Sequence, residues 1–594
     1  MSLMGSLYIG SSGLQTSQNA LNTTAHNLSN IDTVGYTRQQ VQLSDRRYVT
    51  LSVDPKAVNN KQTGLGVVYS RVKQIRDYFL DKTYRKESGR SMFYQVSTEV
   101  MEEVESQLGE MNGEAFQTTI TDFWTSIQEL AKDPASSVTQ GLLVQRASEF
   151  VERAGAVYEG LCSYQDNLNI QIRKQVEKIN DYGDKLLYLN DKIRAIEAGG
   201  IEHANDLRDA RNQILDELSQ MASITYAEDM YGSVSVQIEG VDFVKDGTCY
   251  EIGLYTDPNT GFYTPFWPIN ANYRVLADGT KEYNIDGAEV FNLNREISTD
   301  LNTDIGGLKA MLHARGDHRA DYSDIEKDYD SVSQSVVMNI QAEFDQLIHN
   351  VVTKVNEILA KAAGVQDGDI TLADGSTLNG VKFAFDDPDG YMHRPDGSPI
   401  QMFGKVATEG YRKVSGTVTY TETYTDDDGN TQTRQTTKTG DFWVYNEENL
   451  EETESLYSIK NLQIDQELMQ RPAMLGFRLP DGSEDKATAE ALKAAFTEES
   501  YTLNPNVKKK TTFVDYYTDL VSQVSNSGYA FRSIYQNQES TVEAVHSARE
   551  QVIGVSSDEE LSNMIKFQNA YNASSRYINV ISEMLEHIIT TLGH

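Results

Sequence analysis

NLSNIDTVGYTRQQ, residues 27–40, decides the fold: a helix-compatible segment runs to Asn30, then turns through Gly35 into extended chain. No acidic residue, lysine or arginine precedes Asp32. Asn30 is expected to close the helix in the left-handed region, Asp32 and Thr33 to hydrogen-bond the turn, and Gly35 to take the positive φ that other residues resist. Upstream, Leu3, Leu7, Leu14, Leu21 and Leu28 share one helical stripe, with Gly10, Ser17 and Thr24 at the intervening positions of a 3,4 alternation. Small residues on such a stripe let a partner helix approach closely. The rest of the segment is largely Ser, Thr, Asn and Gln, marginal as a helix alone in water, so it is expected to order only against a partner.

The far end of the chain offers that partner. Met564, Phe567, Tyr571, Ser574, Ile578, Ile581, Leu585, Ile588 and Leu592 follow the same alternation. Ser557 to Glu560, SDEE, reads as a capping box, with Asp558 and Glu559 favouring the positive end of the helix. A seam at each end of the chain suggests that the ends meet and leave the middle as an insertion. A third seam runs from Val144, Ala147, Val151 and Ala154 at the same spacing through Gln175 to Ile196, predicting coiled-coil or long-hairpin packing. Gly199-Gly200 closes it, and the helix beginning near Asn205 is expected to lie antiparallel. Residues 304–364 read as helical again.

All nine Asp-Gly pairs fall between Asp246 and Gly482, which confines turn-rich, strand-rich structure to the middle. The clearest hairpin spans 417–445, where threonine at every second position from Thr417 to Thr425 lies on one face and Asp428-Gly429 offers the turn. At 594 residues the chain needs more than one core. The fold class is α+β multidomain: an elongated α-helical coiled-coil or bundle core built from the N- and C-terminal regions, with strand-rich domains inserted in the middle. The expected units are 1–65 with 557–594, a terminal coiled coil; 66–230 with 304–364 and 505–556, a helical bundle; 231–303, a small strand-rich segment; and 365–504, a strand-rich outer insertion.

Charge and motifs narrow the chemistry. The balance of 88 acidic against 52 basic residues, net -36, repels phosphate backbones and anionic lipid, so nucleic acid is not an expected partner. No apolar run approaches the roughly 18 residues of a membrane span, so no membrane insertion is expected. Cys162 and Cys249 alone make no disulfide framework. MSLMGSLYIGSSGLQ lacks the basic start and apolar block of a secretory signal peptide. HExxH, GxxxxGK[ST] and GxSxG are all missing from the sequence. Asp426, Asp428 and Asn430 offer alternating oxygens of a calcium loop, but Gly429 is misplaced and Thr437 stands at the twelfth position, so a polar turn is the simpler reading. The same holds for Asp386, Asp387 and Asp389. Glu447 and Glu448 could cleave a glycoside only if folding set them face to face. No enzymatic activity, cofactor or metal site is expected.

Ala25, Asn27, Leu28, Ser29, Asn30, Thr33, Gly35 and Tyr36 resemble the N-terminal signature ANNLANxxTxGY of the flagellar rod, hook and hook-associated proteins, with His26 and Ser29 departing from the common Asn and Ala. Thr37, Arg38 and Gln39, the internal NDLRDARNQILDELS, and residues 554–586, GVSSDEELSNMIKFQNAYNASSRYINVISEMLE, are similar to the branch of that family at the hook–filament junction. The resemblance implies a structural subunit of the bacterial flagellum that joins hook to filament, is secreted by type III export, and polymerises through its terminal helices. Its implied partners are the flagellar hook protein, the second hook-filament junction protein, further copies of itself in a ring or tube, and a dedicated export chaperone on the C-terminal helix. Assembly is expected to rest on Leu7, Leu14, Leu21, Leu28, Asn27, Asn30, Thr33, Gly35 and Tyr36 near one end and Phe567, Tyr571, Ile578, Ile581, Leu585 and Ile588 near the other. A surface adhesin or binding protein displaying 365–504 is the alternative reading.

Overall fold

The computed structural model describes residues 3–46, 48–52, 61–109, 116–200, 202–387, 392–425, 431–479 and 481–592. Among these, helices dominate: α1 (Leu3–Ser29), α2 (Tyr78–Gln107), α3 (Phe116–Lys132), α4 (Ser137–Glu197), α5 (Asn205–Met221) and α6 (Gly307–Arg315) in the first half. The second half adds α7 (Tyr322–Val332), α8 (Val336–Ala362), α9 (Gln466–Gln470), α10 (Lys486–Thr497), α11 (Phe513–Ile553) and α12 (Ser557–Leu592). The fold is α+β, with long helices at both ends and short antiparallel sheets between them.

α4 is 61 residues long and so runs about 90 Å at 1.5 Å per residue. Its predicted seam is buried except for Val151 and Gln175, which are half-buried, and Ile196, which is exposed. At Gln175 the inward position passes to Val176, the drift expected when a 3.6-residue helix follows a 3.5-residue pattern. α2 and α11 lie side by side, and α3, α4 and α8 pack with them around a ring cluster. Phe116 stands at its centre, 5.0 Å from the Phe344 and Tyr517 rings and 5.5 Å from Phe150.

Strands are fastened to helices by a repeated device. Asn190 of α4 donates through Nδ2 to the Val234 carbonyl (2.8 Å) and accepts the Val234 N–H (3.0 Å), as a neighbouring strand would. Asn180 does the same with Ile252, and Asn169 grips the Gly261 carbonyl and Tyr263 N–H. On α8, Asn356 donates to the Phe403 carbonyl and accepts from the N–H groups of Met402 and Phe403. Each amide satisfies strand-edge backbone groups that burial would otherwise leave unpaired. The four-stranded sheet of Ile224–Glu228, Val234–Ile238, Val241–Lys245 and Thr248–Cys249 is held on α4 in this way. A Cβ at Gly183 would lie 2.6 Å from Phe243 Cζ, so the helix needs glycine where the sheet closes on it.

Six of the Asp-Gly glycines, Gly247, Gly279, Gly287, Gly375, Gly397 and Gly482, have φ between 73 and 87°, the turn conformation their sequence predicts. Gln366–Leu372, Thr377–Phe385, Thr431–Tyr445 and Tyr411–Thr425 close a small barrel around Ile370, Phe383, Val418, Phe442 and Val444. Its last two strands pair along 15 residues each, with Thr417 opposite Thr439 and Thr419 opposite Thr437, and their far ends extend beyond the strands that close the barrel. The Asp426–Asn430 turn lies outside the described residues, as does Asp389. Asp386 accepts from Lys413 Nζ (2.6 Å) and Trp443 Nε1 (3.0 Å). Among the described residues of the insertion expected over 365–504, the barrel has its own core, whereas Phe403, Tyr457, Phe477 and Phe496 join the helical core. Sequence pattern gives strand-rich character but not the surface against which each strand packs.

Two carboxylates are buried where α8 meets its neighbours. Glu343 accepts from Asn504 Nδ2 (2.7 Å) and Gln523 Nε2, and Asp345 accepts the N–H groups of Tyr322 (3.0 Å) and Ile459 (2.7 Å). Desolvation outweighs these donors and raises both to about 7. A carboxyl with a raised folded pKa binds its proton more tightly in the native state. Its effect on stability is therefore nil below the unfolded pKa and becomes increasingly unfavourable as pH rises through the folded one. The body is expected to melt at a lower temperature at pH 8 than at pH 6. Glu343→Gln should flatten that difference; an unchanged pH slope in the variant would contradict it.

Candidate functional site: where the chain ends meet

α1 lies antiparallel to α12. A Cβ at Gly10 would fall 2.7 Å from Ile578 Cγ1, and one at Gly13 would fall 2.8 Å from Ser574 Oγ. Gly10, Ser17 and Thr24 are buried, and Leu7, Leu14, Leu21 and Leu28 are half-buried beside them. The small side chains thus admit the partner helix while the leucines flank it. Ser12, on another face, accepts the Val67 N–H at 3.3 Å and so meets the strand pair Gln39–Asp45 and Val67–Gln74.

On α12, Ile581 is buried, and Phe567, Tyr571, Ile578 and Leu585 are half-buried. Ile588, on the same predicted seam, is 37% exposed. The side chain of Leu592 lies outside the described residues. Further apolar side chains on the same helix, not singled out in the sequence, are exposed: Leu561, Ile565, Tyr577, Val580 and Met584. Met4 and Tyr8 of α1 are exposed as well. Tyr577, Val580 and Met584 follow a 3,4 spacing of their own, which was the legible signal.

The turn after α1 is tied down residue by residue. Asn27, 1% exposed, donates to the Gln39 carbonyl (2.8 Å) and accepts both the Gln39 N–H (3.0 Å) and the Tyr36 hydroxyl (2.7 Å). Burial, then the carboxylates of Asp209, Asp206 and Glu560, keep Tyr36 protonated and so a donor. Gly35 has φ 81° as expected. Asn30 does not: it stays out of the left-handed region and instead donates its side-chain amide to the His26 carbonyl at 2.9 Å, while Thr33 N–H returns to the Asn30 carbonyl. The side chain satisfies the helix end, so the backbone need not reverse there. Asn27→Ala would leave both Gln39 backbone groups unpaired. A loss of about 1–3 kcal/mol in the ordering of this turn is expected, checked by hydrogen exchange at Gln39; wild-type protection would refute it.

The next residues bind the two ends of the chain to the body. Thr37 N–H donates to Asp209 Oδ2 (3.2 Å) and Arg38 N–H to the Ile553 carbonyl (2.8 Å). The Arg38 guanidinium reaches Glu559 (2.7 Å) and the buried Glu560 (3.4 Å). Glu560 is therefore spent on Arg38. The helix start is held by Ser556, whose carbonyl accepts the Glu560 N–H at 3.0 Å, rather than by the capping box expected from Ser557. Asp209 is pushed up to about 6, chiefly by burial, against the donors Thr37 and Arg76. Behind it, Arg549 of α11 bridges Asp81 (2.8 Å) and Asp216 (2.7 Å), Arg76 pairs with Asp81, and Arg85 with Asp216. Arg38 was noted in the sequence only as part of the family resemblance, and its pairing, like the roles of Asp209 and Arg549, was not legible there because the partners are remote in the chain.

The other candidate chemistry finds different uses. Glu448 accepts from the Tyr322 hydroxyl and the Tyr457 N–H, both at 2.6 Å, while Glu447 is exposed. Among the described residues, no group of three or more His, Cys, Asp or Glu side chains stands ready for a metal, and no helix is long and apolar enough to cross a membrane. What remains is a non-covalent clamp with an apolar outer strip.

The comparisons agree with that geometry. Residues 7–37 match the family model for flagella basal body rod proteins, and residues 552–591 the C-terminal model of the flagellar basal body rod FlgEFG proteins. These two segments are the meeting chain ends, and they place the chain among the flagellar axial proteins. Residues 101–372 match the helical domain of flagellar hook-associated protein FlgK. Flagellar hook-associated protein 1 of Bacillus subtilis is 24% identical over 596 residues, covering 98% of this chain and 96% of its own. That of Escherichia coli is 22% identical, covering 97% and 98%. The solved flagellar hook junction protein FlgK from Burkholderia pseudomallei aligns with TM-score 0.48 at 13% identity, over 79% of this chain and all of its own. Over nearly its full length the chain is similar to flagellar hook-associated protein 1, which supports a structural role in the flagellum.

Proposed function

We propose that the chain is the subunit that joins hook to filament, polymerising into a ring or tube through the paired helices α1 and α12. The observation that carries this reading is the exposed apolar strip on α12, backed by a hairpin whose inner seam is already filled by α1. Such a strip on a monomer marks an association surface. The flagellar hook protein and the second hook-filament junction protein are the neighbours this role requires. Export follows the type III route, and a dedicated chaperone covers the C-terminal helix before export, since the same strip would otherwise promote premature association. Residues 1–65 with 557–594 form the assembling unit, and Asn27, Tyr36, Arg38 and Glu560 set its attachment to the body.

A strain lacking the protein should be non-motile and carry hooks without filaments in electron micrographs. Filaments of normal length on those hooks would overturn the reading.

A further inference from the structure

We propose that the cleft between α8 and the barrel binds a neutral oligosaccharide. The cleft holds about 690 Å³, within the range of small-ligand sites, and lies between two packed units, where such sites concentrate. Its lining selects the ligand class. Lys354, Lys361 and Lys382 face Glu357, Asp367, Glu447 and Glu448, so the cleft is close to electrical balance and favours neither a strong anion nor a cation. Ala360 and Val365 are the only aliphatic side chains among its lining residues, too little apolar surface for a lipid chain.

What is left is amide, hydroxyl and aromatic surface. Tyr445 and Tyr501 line the cleft half-buried, with Tyr411 packed behind Tyr445 at 5.5 Å and Phe513 stacked on Tyr501 at 4.3 Å, so the aromatic surface left to the cleft suits the C–H face of a pyranose. The side chains of Asn350 and Gln366 line the cleft half-buried and make no hydrogen bond with other described residues, so their donors and acceptors are free for sugar hydroxyls. Asn356 and Gln401, deeper in, are held by Phe403 and Tyr457 and give the floor a fixed shape.

The test uses the full chain and neutral trisaccharides, maltotriose and triacetylchitotriose, with triglycine as a peptide probe, read by saturation-transfer NMR and calorimetric titration. At least one trisaccharide should bind at millimolar concentration or below. Asn350→Ala and Gln366→Ala, at positions open to solvent, should each weaken it about tenfold, a single lost hydrogen bond. Thr353→Trp, which fills the cleft from α8, should abolish it, with unchanged melting curves showing that each variant folds. No binding of either sugar, binding that survives Thr353→Trp, or binding of triglycine instead would overturn the proposal.

Discussion

Aspartate at both Ile581 and Leu585 should abolish incorporation of the chain into flagella while the helical body melts as in the wild type. Ile581 is 6% exposed and Leu585 half-buried on the seam that faces α1. An unpaired carboxylate in such a contact costs about 3 kcal/mol or more, which a hairpin built from small polar residues on its α1 side cannot absorb. The two helices should separate, visible as lost helical signal and lost exchange protection from Leu7 to Leu28. The outward pair separates packing from assembly: Val580→Asp with Met584→Asp leaves the seam intact and should block incorporation with the hairpin still formed. Normal incorporation of the first variant would remove the seam from the mechanism, and normal incorporation of the second would remove the strip. Global unfolding of the first would show α12 to be part of the body's core.

Arg549→Met should lower the stability of the body by about 3 kcal/mol, the cost of leaving buried acids short of a cation. Arg549 is buried over the Tyr84 ring and bridges Asp81 and Asp216 between α2, α5 and α11. Burial alone would raise the Asp81 carboxyl, but Arg76, with Arg549 and Arg85 behind it, outweighs burial and holds it below the usual carboxylate range. A depressed folded pKa contributes stability that is present above the unfolded value and lost as pH falls through the folded one. The variant should therefore lose less stability on acidification than the wild type, and Arg549→Lys should recover part of the difference. Equal melts for wild type and Arg549→Met at neutral pH would show that Arg76 and Arg85 suffice.

The sequence by itself determined the long helices, the meeting of the chain ends, the turn through Gly35 and the resemblance at both termini, because period and turn chemistry are local and repeat over many residues. It also showed strand-rich structure in the middle, since Asp-Gly pairs fix backbone conformation wherever they occur. Tertiary structure alone decided that the apolar side chains beside the predicted seam of α12, Val580 and Met584 among them, stay outside. That choice depends on the shape of α1, where Gly10, Ser17 and Thr24 rather than the leucines make the closest approach. It decided that Asn27, Asn169, Asn180, Asn190 and Asn356 would serve as strand partners on helices, since an asparagine within a helix looks the same in sequence whether it faces water or a strand edge. It decided, too, that Arg38 would find Glu560 and Arg549 would find Asp81, pairings across hundreds of residues. Charges so far apart in the chain carry no mutual signal until folding brings them within a few ångströms, where the low dielectric of a buried contact gives the pairing its strength.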